Sequence, residues 1–215
     1  MSRHPNPELE QRILDAAVRL WARGGQKSLT IRAVAIEAGT TTPTLYERYR
    51  DREDILRAVR VKARQHLFTA THGSRSVTEA VRRHLRFARL HRHEYGALFE
   101  GVAAPPSLHE HWPTFNLFRT LLARRLGGTP RQHTRLMLAI WATMHGASEL
   151  INRGRMRGAL RTQMEYSCVD AIEDMLRKAE EHPKRRRSGP AWPPALILGE
   201  GRVHPRAHAR RKPKG

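Results

Sequence analysis

Apolar residues recur along most of the chain at the three- and four-residue spacing of amphipathic helices, and no stretch alternates convincingly like a β-strand. The first such pattern follows Asn6, which is suited to cap a helix, and Pro7, which fits a first turn. Gly24-Gly25 is expected to end this helix. Its apolar face consists of Leu9, Ile13, Ala16, Ala17, Leu20 and Trp21. The pattern predicts an all-α protein of about nine helices.

Three shorter patterns follow before residue 70. Thr30 is placed to cap a second helix that stops at Ala38-Gly39, where glycine permits a tight turn. A third helix begins at Thr41 or Thr42. Asp51 then caps a fourth helix in a variant of the capping box.

A turn-like segment at 71–76 separates this part of the chain from the rest. Further helices are predicted at about 76–92, 93–103, 113–126, 131–152 and 157–181. After residue 181 the chain is rich in proline, glycine and arginine, which predicts a disordered basic tail. The predicted organisation is therefore a first domain at 7–67, a second at 73–181 and a tail at 182–215.

The segment at about 30–49 has the layout of a helix-turn-helix. Leu45 and Tyr49, four residues apart, would hold the second short helix to the core, while short polar groups face outward. The outward residues are Thr41, Thr42, Thr44 and Tyr46. The flanking residues suited to phosphate contacts are Arg32, Arg48, Arg50 and Arg52.

Three motifs stand at fixed distances between residues 12 and 59. The first is Arg12-Ile13-Leu14-Asp15-Ala16-Ala17, closed by Trp21 and Gly25. The second is Leu29-Thr30-Ile31-Arg32, with Ala38-Gly39 and then Thr44-Leu45-Tyr46 and Tyr49. The third is Asp51-Arg52-Glu53-Asp54-Ile55-Leu56. In sequence and spacing these residues resemble the DNA-binding domain of the TetR family of bacterial regulators, a match more specific than any isolated motif.

This resemblance implies a role for each matching position. It assigns phosphate contacts to Thr30 and Tyr46. It assigns base contacts to Thr41, Thr42 and Pro43. Thr44 and Arg48 would support or extend those contacts. Arg52 stands where the family usually has lysine, and should also bind the DNA backbone. The segment Thr41-Thr42-Pro43 lacks the basic residue often found nearby, which leaves the operator sequence open.

A second motif, Trp141-x-x-x-His145-Gly146, resembles the Trp-His-Gly signature of one TetR-family C-terminal domain type. The resemblance implies a helical domain that dimerises through the helices at 131–152 and 157–181 and often holds a small effector. The apolar stripes that support dimerisation are Leu136, Ile140, Met144 and Ala147, and Leu160, Met164, Cys168, Ala171, Met175 and Ala179. Candidate effector residues are Phe99, Trp112, Phe115, Phe118, Trp141 and His145. Their spacing suits ordinary core packing equally well.

The composition limits the classes of partner and the compartment that are expected for this protein. The formal charge is +20, which favours a polyanionic partner, either nucleic acid or an anionic membrane surface. About half of that excess lies in the tail, where ten Lys and Arg residues meet one Glu. The single cysteine, Cys168, excludes an intramolecular disulfide. Without an apolar signal or a membrane-length apolar run, we expect a cytoplasmic protein with no membrane contact.

These features predict a homodimeric repressor that binds a pseudo-palindromic operator in double-stranded DNA and is released by a small effector. One alternative is an architectural DNA-binding protein that uses charge alone. Another is an enzyme, although no catalytic motif is visible in the sequence.

Two pairs of histidines could suggest a metal site: His91 with His93, and His109 with His111. The members of each pair are two residues apart and would face different sides of a helix. We therefore expect neither a metal site nor a cofactor.

Overall fold

The computed structural model describes residues 7–99, 112–154 and 156–182, and within these ranges the chain forms nine α-helices and no strand. The helices are α1 (Pro7–Gly24), α2 (Ile31–Glu37), α3 (Thr42–Tyr46), α4 (Arg52–Thr71), α5 (Val77–Leu90), α6 (Arg92–Ala97), α7 (Pro113–Leu126), α8 (Thr134–Asn152) and α9 (Gly158–Glu181). Short 3-10 helices at Gly25–Ser28 and Pro130–His133 precede α2 and α8. The predicted all-α fold is confirmed. Over the same ranges, none of the helices combines the length and apolarity needed to cross a membrane.

Side-chain caps begin four of these helices. Thr30 Oγ1 accepts a hydrogen bond from the backbone N–H of Ala33 at 3.1 Å, and Asp51 Oδ1 accepts one from Asp54 at 2.8 Å. Thr41 and Ser76 cap α3 and α5 in the same way. Each cap satisfies one of the N–H groups that a helix start leaves without a partner. The proposed cap at residue 6 and the tail at 183–215 lie outside the described residues.

Two segments differ from the sequence prediction. The helix expected at 93–103 is the single turn and a half of α6, after which Leu98 and Phe99 form a turn. The first helix was expected to end at Gly24-Gly25. It ends at Gly24, but the chain continues helically in a 3-10 turn at Gly25–Ser28. Ser28 Oγ fastens this turn by donating to the carbonyl of Leu20 at 2.6 Å or to that of Gly25 at 2.8 Å.

The helices bury two principal apolar clusters. The first joins α1 to α4, with Ile13, Trp21, Leu29, Leu45 and Val59 almost inaccessible to solvent. Fully burying one such side chain stabilises the fold by about 1.5–3 kcal/mol. The second cluster joins α5, α7, α8 and α9. Residues of both are therefore committed to packing within one subunit.

Helix α6 belongs by sequence to the second half but packs against the first. Ala97 is buried within the α1–α4 cluster. The indole N–H of Trp21 donates to the carbonyl of His93, and Arg60 Nε donates to the carbonyl of Ala97 at 3.2 Å. A short helix thus holds the two halves together directly beside the cavity described below.

Candidate DNA-binding surface and ligand cavity

Helices α2 and α3 are connected by a turn that only a few residues tolerate. Gly39 has a φ of +63°, the left-handed region in which a Cβ is unfavourable. Leu45, completely buried, and Tyr49 anchor α3 to the α1–α4 cluster, as their spacing predicted. One face of α3 is consequently fixed, and the other is left for a partner.

The outer face of α3 carries hydroxyl groups of two kinds. Thr41 Oγ1 caps the helix and lies 2.9 Å from Thr44 Oγ1, so both hydroxyls are already engaged. For the hydroxyls of Thr42 and Tyr46 the described part of the chain provides no hydrogen-bond partner, and Tyr46 is 58% exposed. Pro43 is also exposed, in the first turn. Thr42 and Tyr46 therefore carry the unengaged hydroxyls of this helix, and their contact with DNA stays a prediction.

The predicted phosphate-binding arginines differ in how far they are engaged. Arg32 is exposed on α2 and has no partner among the residues described. Arg48 donates to the carbonyl of Thr44 at 3.2 Å. Arg50 Nε pairs with Asp54, whose pKa is lowered to about 2 by hydrogen bonds from Arg57 and Arg50. The free protein thus leaves Arg32 the most available of the three.

Arg52 is used inside the fold. Its Nε donates to the carbonyl of Leu29 at 2.7 Å, and a terminal nitrogen donates to that of Gln26 at 2.8 Å. A further N–H meets Glu53 at 3.1 Å. The guanidinium therefore holds the 3-10 turn that leads into Thr30. Its phosphate contact stays a prediction.

Sequence reasoning did not find the residues that fix α1 against α2. A terminal nitrogen of Arg12 donates to the carbonyl of Ala38 at 3.0 Å, beside the turn at Gly39. Arg23 and Arg19 both pair with Glu37, and their hydrogen bonds lower the pKa of that carboxyl. The partners are 14 to 26 positions away in the sequence, so no local spacing signal identifies them.

A cavity of about 680 Å³ lies between α6 and the second half of α8. Its wall consists of Arg92, His93, Gly96, Phe99, His145, Glu149, Asn152 and Arg153. The volume is typical of a site for a small molecule. Two of the six predicted effector residues, Phe99 and His145, line it.

Four of the six predicted residues form one aromatic group. The ring centroids of Phe99 and His145 are 4.2 Å apart, and Trp141 stacks on His145 at 5.6 Å. Trp112 lies 6.2 Å from Phe99. The other two stand apart: Phe118 is buried in the C-terminal core, and Phe115 packs against the guanidinium of Arg119. Phe118 is therefore a core residue of α7 and not part of the cavity wall.

Two buried polar residues behind the cavity were missing from the predicted site. Tyr95 Oη lies 3.1 Å from His145 Nδ1 and 3.3 Å from His84 Nε2, so the three side chains form a hydrogen-bonded chain. Burial lowers the pKa of His84 to about 4, lowers that of His145, and raises that of Tyr95. Both histidines are consequently neutral at pH 7. The available signals were the position of His84 on the apolar face of α5 and the four-residue spacing of Tyr95 and Phe99.

The stripes proposed for dimerisation are divided between two environments. For four stripe residues, which are buried within the subunit, the interpretation as an intersubunit face is wrong: Ile140, Met144, Ala147 and Cys168. Burial also raises the pKa of the Cys168 thiol to about 11, which makes it unreactive. Leu150 and Leu160 remain exposed on α8 and α9.

Among the residues that the structure describes, no group of histidine, cysteine, aspartate or glutamate side chains is arranged to hold a metal ion. His91 contacts the buried carboxylate of Glu94 at 3.3 Å, and His66 contacts it at 2.9 Å. His109 and His111 lie outside the described ranges.

Comparison with protein families accounts for both halves of the chain. The family model described as bacterial regulatory proteins of the tetR family matches residues 13–59, and that described as a tetracyclin repressor-like C-terminal domain matches residues 77–178. The chain belongs to the TetR family. The first match contains α2 and α3, and the second contains Tyr95, Phe99 and His145. The helix-turn-helix and the cavity are thus each within a TetR-family domain.

Solved structures agree with this TetR-family fold. A TetR-like transcriptional regulator from Rhodococcus sp. RHA1 is 18% identical, with a TM-score of 0.52 over 82% of this chain and 98% of the other. A protein described as having unknown function, from the same organism, is 19% identical, with a TM-score of 0.62 over 83% and 98%. Comparison with curated proteins gives no match. At these identities the likeness extends to the fold alone.

Proposed function

We propose that this TetR-family regulator is a homodimeric repressor that binds a pseudo-palindromic operator in the cytoplasm and is released by a small molecule. The observation that carries the proposal is the division of α3 into a buried anchor at Leu45 and an outer face with unengaged hydroxyls at Thr42 and Tyr46. A recognition helix requires a rigid mount and short polar groups that reach base edges and phosphates.

Dimerisation is supported by the exposed apolar residues of the last two helices. Leu160 and Tyr166 on α9 are 54% and 58% exposed, and Leu150 on α8 is also exposed. Ala142 and Gly146 precede Leu150 on α8 at four-residue spacing, and these small exposed residues would permit close helix approach. Two such helices from each subunit would form a four-helix interface around a two-fold axis.

Selection of binding sites from a random duplex library tests the operator proposal. We expect one palindromic motif with half-sites about one duplex turn or somewhat more apart. Tyr46→Phe and Thr42→Ala should weaken binding to that motif, while Thr69→Ala, which removes an exposed hydroxyl from α4, should not. Recovery of no motif, with affinity that depends steeply on salt, would instead support a DNA-binding protein that uses charge alone.

Sedimentation tests the dimer independently. Leu160→Arg places a charge in the proposed interface and should yield monomers, because an unpaired buried charge is costly. Val61→Arg on α4, where the native side chain is 47% exposed, is the matched control and should remain dimeric. A dimeric Leu160→Arg protein would place the interface elsewhere.

A further inference from the structure

The cavity beside α6 has a wall richer in donors than in free acceptors. Glu149 is its one acidic side chain, and Arg153 neutralises it in an ion pair at 2.8 Å. Arg92 has no acidic partner among the residues described, and its Nε is turned to His93 Nε2 at 3.2 Å. Asn152 uses its amide nitrogen on the carbonyl of Ala88. The wall therefore carries one uncompensated positive charge.

The buried chain behind the wall determines which nitrogen of His145 carries its hydrogen. His84 is neutral, and its Nδ1 is buried with no partner among the described residues. A buried N–H without an acceptor is rarer and more costly than a bare lone pair, so the hydrogen of His84 is on Nε2. His84 then donates to Tyr95, and Tyr95 donates to His145 Nδ1. This leaves the hydrogen of His145 on Nε2.

His145 thus joins Arg92 as a hydrogen-bond donor for a molecule in the cavity, since its ring lines the wall while Nδ1 is committed to Tyr95. Phe99, in contact with the same ring, supplies an apolar surface for a flat ligand. Trp141, stacked behind His145, limits the freedom of that imidazole. A charged acceptor and a planar apolar body are the two features that such a wall complements.

We propose that the cavity binds an aromatic monocarboxylate, with its carboxylate on Arg92 and His145 Nε2 and its ring against Phe99. This inference deepens the proposed function, because it rests on the cavity being the effector site. Ligand binding in the cavity is a property of the free protein, so its affinity can be measured without DNA.

Calorimetry on the full-length protein tests the ligand class. The probes are benzoate and 1-naphthoate, their uncharged amides benzamide and 1-naphthamide, and the cation 1-naphthylmethylammonium. We expect at least one carboxylate to bind about tenfold or more tightly than its amide, and the cation not to bind. Arg92→Gln should remove this preference, whereas Arg86→Gln, at an exposed position on α5, should retain it. Equal binding of carboxylate and amide, or binding of no carboxylate in the panel, would overturn the proposal.

Nitrogen NMR of the histidine rings tests the hydrogen-bonded chain separately from packing. The His145 signals, assigned by comparison with His145→Gln, should report a neutral ring with its hydrogen on Nε2. In Tyr95→Phe this single form should give way to a mixture of the two neutral forms. A wild-type ring with its hydrogen on Nδ1 would overturn the donor assignment.

The two proposals fail in different ways. If a carboxylate binds selectively but leaves the operator complex intact, effector release is wrong and the ligand class stands. If the operator motif is recovered but the amides bind as well as the acids, the ligand class is wrong and the DNA-binding proposal stands.

Discussion

Replacing Arg52 by lysine distinguishes a guanidinium that holds a turn from one that only contacts DNA. Lysine keeps the charge, but all its donors are on one nitrogen, whereas arginine reaches the carbonyls of Leu29 and Gln26 from two separate nitrogens. At least one of these hydrogen bonds is lost, which costs about 1 kcal/mol. For a chain of this size that lowers the melting temperature by about 2–4 °C.

The same change should weaken operator binding without altering its dependence on salt. The looser turn before Thr30 must be ordered again when DNA binds, and about 1 kcal/mol corresponds to roughly a fivefold higher Kd. Calorimetric unfolding and operator titration at several salt concentrations measure both effects. Arg82→Lys on the exposed face of α5 is the matched control. Wild-type stability together with wild-type affinity in Arg52→Lys would refute this account of Arg52.

Three further predictions concern the helix start, the turn and the buried histidine. Thr30→Ala removes the α2 cap and should cost about 1 kcal/mol in urea unfolding, while Thr120→Ala on α7, where no cap is lost, should leave stability close to wild type. Gly39→Ala should cost about 1–2 kcal/mol and Gly39→Asn clearly less, since asparagine tolerates positive φ; equal losses would disprove the backbone explanation. The unfolded chain protonates His84 near pH 6.5 and the folded chain near pH 4, so the stability present above pH 6.5 declines as the pH falls toward 4. Between pH 6.5 and 4 the free energy of unfolding of the wild type should fall by on the order of 3 kcal/mol more than that of His84→Gln. Parallel curves of the two proteins would contradict the buried neutral histidine.

Local signals in the sequence were sufficient for the helix-turn-helix. Caps at Thr30 and Asp51, glycine at the turn and apolar residues four apart act over a few positions, and each has the predicted conformation. The inward placement of Leu45 and Tyr49 follows from helical periodicity alone. The family resemblance added the assignment of roles, which still awaits measurement.

Local sequence signals could not predict contacts between segments that are far apart in the chain. The aromatic residues near Phe99 and Trp141 were identified by type, but type does not separate a cavity wall from a core, and Phe118 proved to be core. The α8 stripe was wrong for a related reason: Ile140 and Met144 pack within the subunit, and periodicity cannot say whether an apolar face packs there or against a partner. Hydrogen bonds such as Arg52 to Gln26 depend on how α4 docks.

The position of α6 has a consequence for anyone who recombines these domains. His93 lines the cavity and its carbonyl accepts the indole N–H of Trp21, while Ala97 lies in the core of α1–α4. A chimera cut at the 72–76 turn would pack a foreign α6 against the DNA-binding helices, and the foreign helix would then set the position of the carbonyl that accepts from Trp21. A functional sensor with a new specificity should instead transplant α6 together with the DNA-binding helices, and alter the wall only from the α8 side.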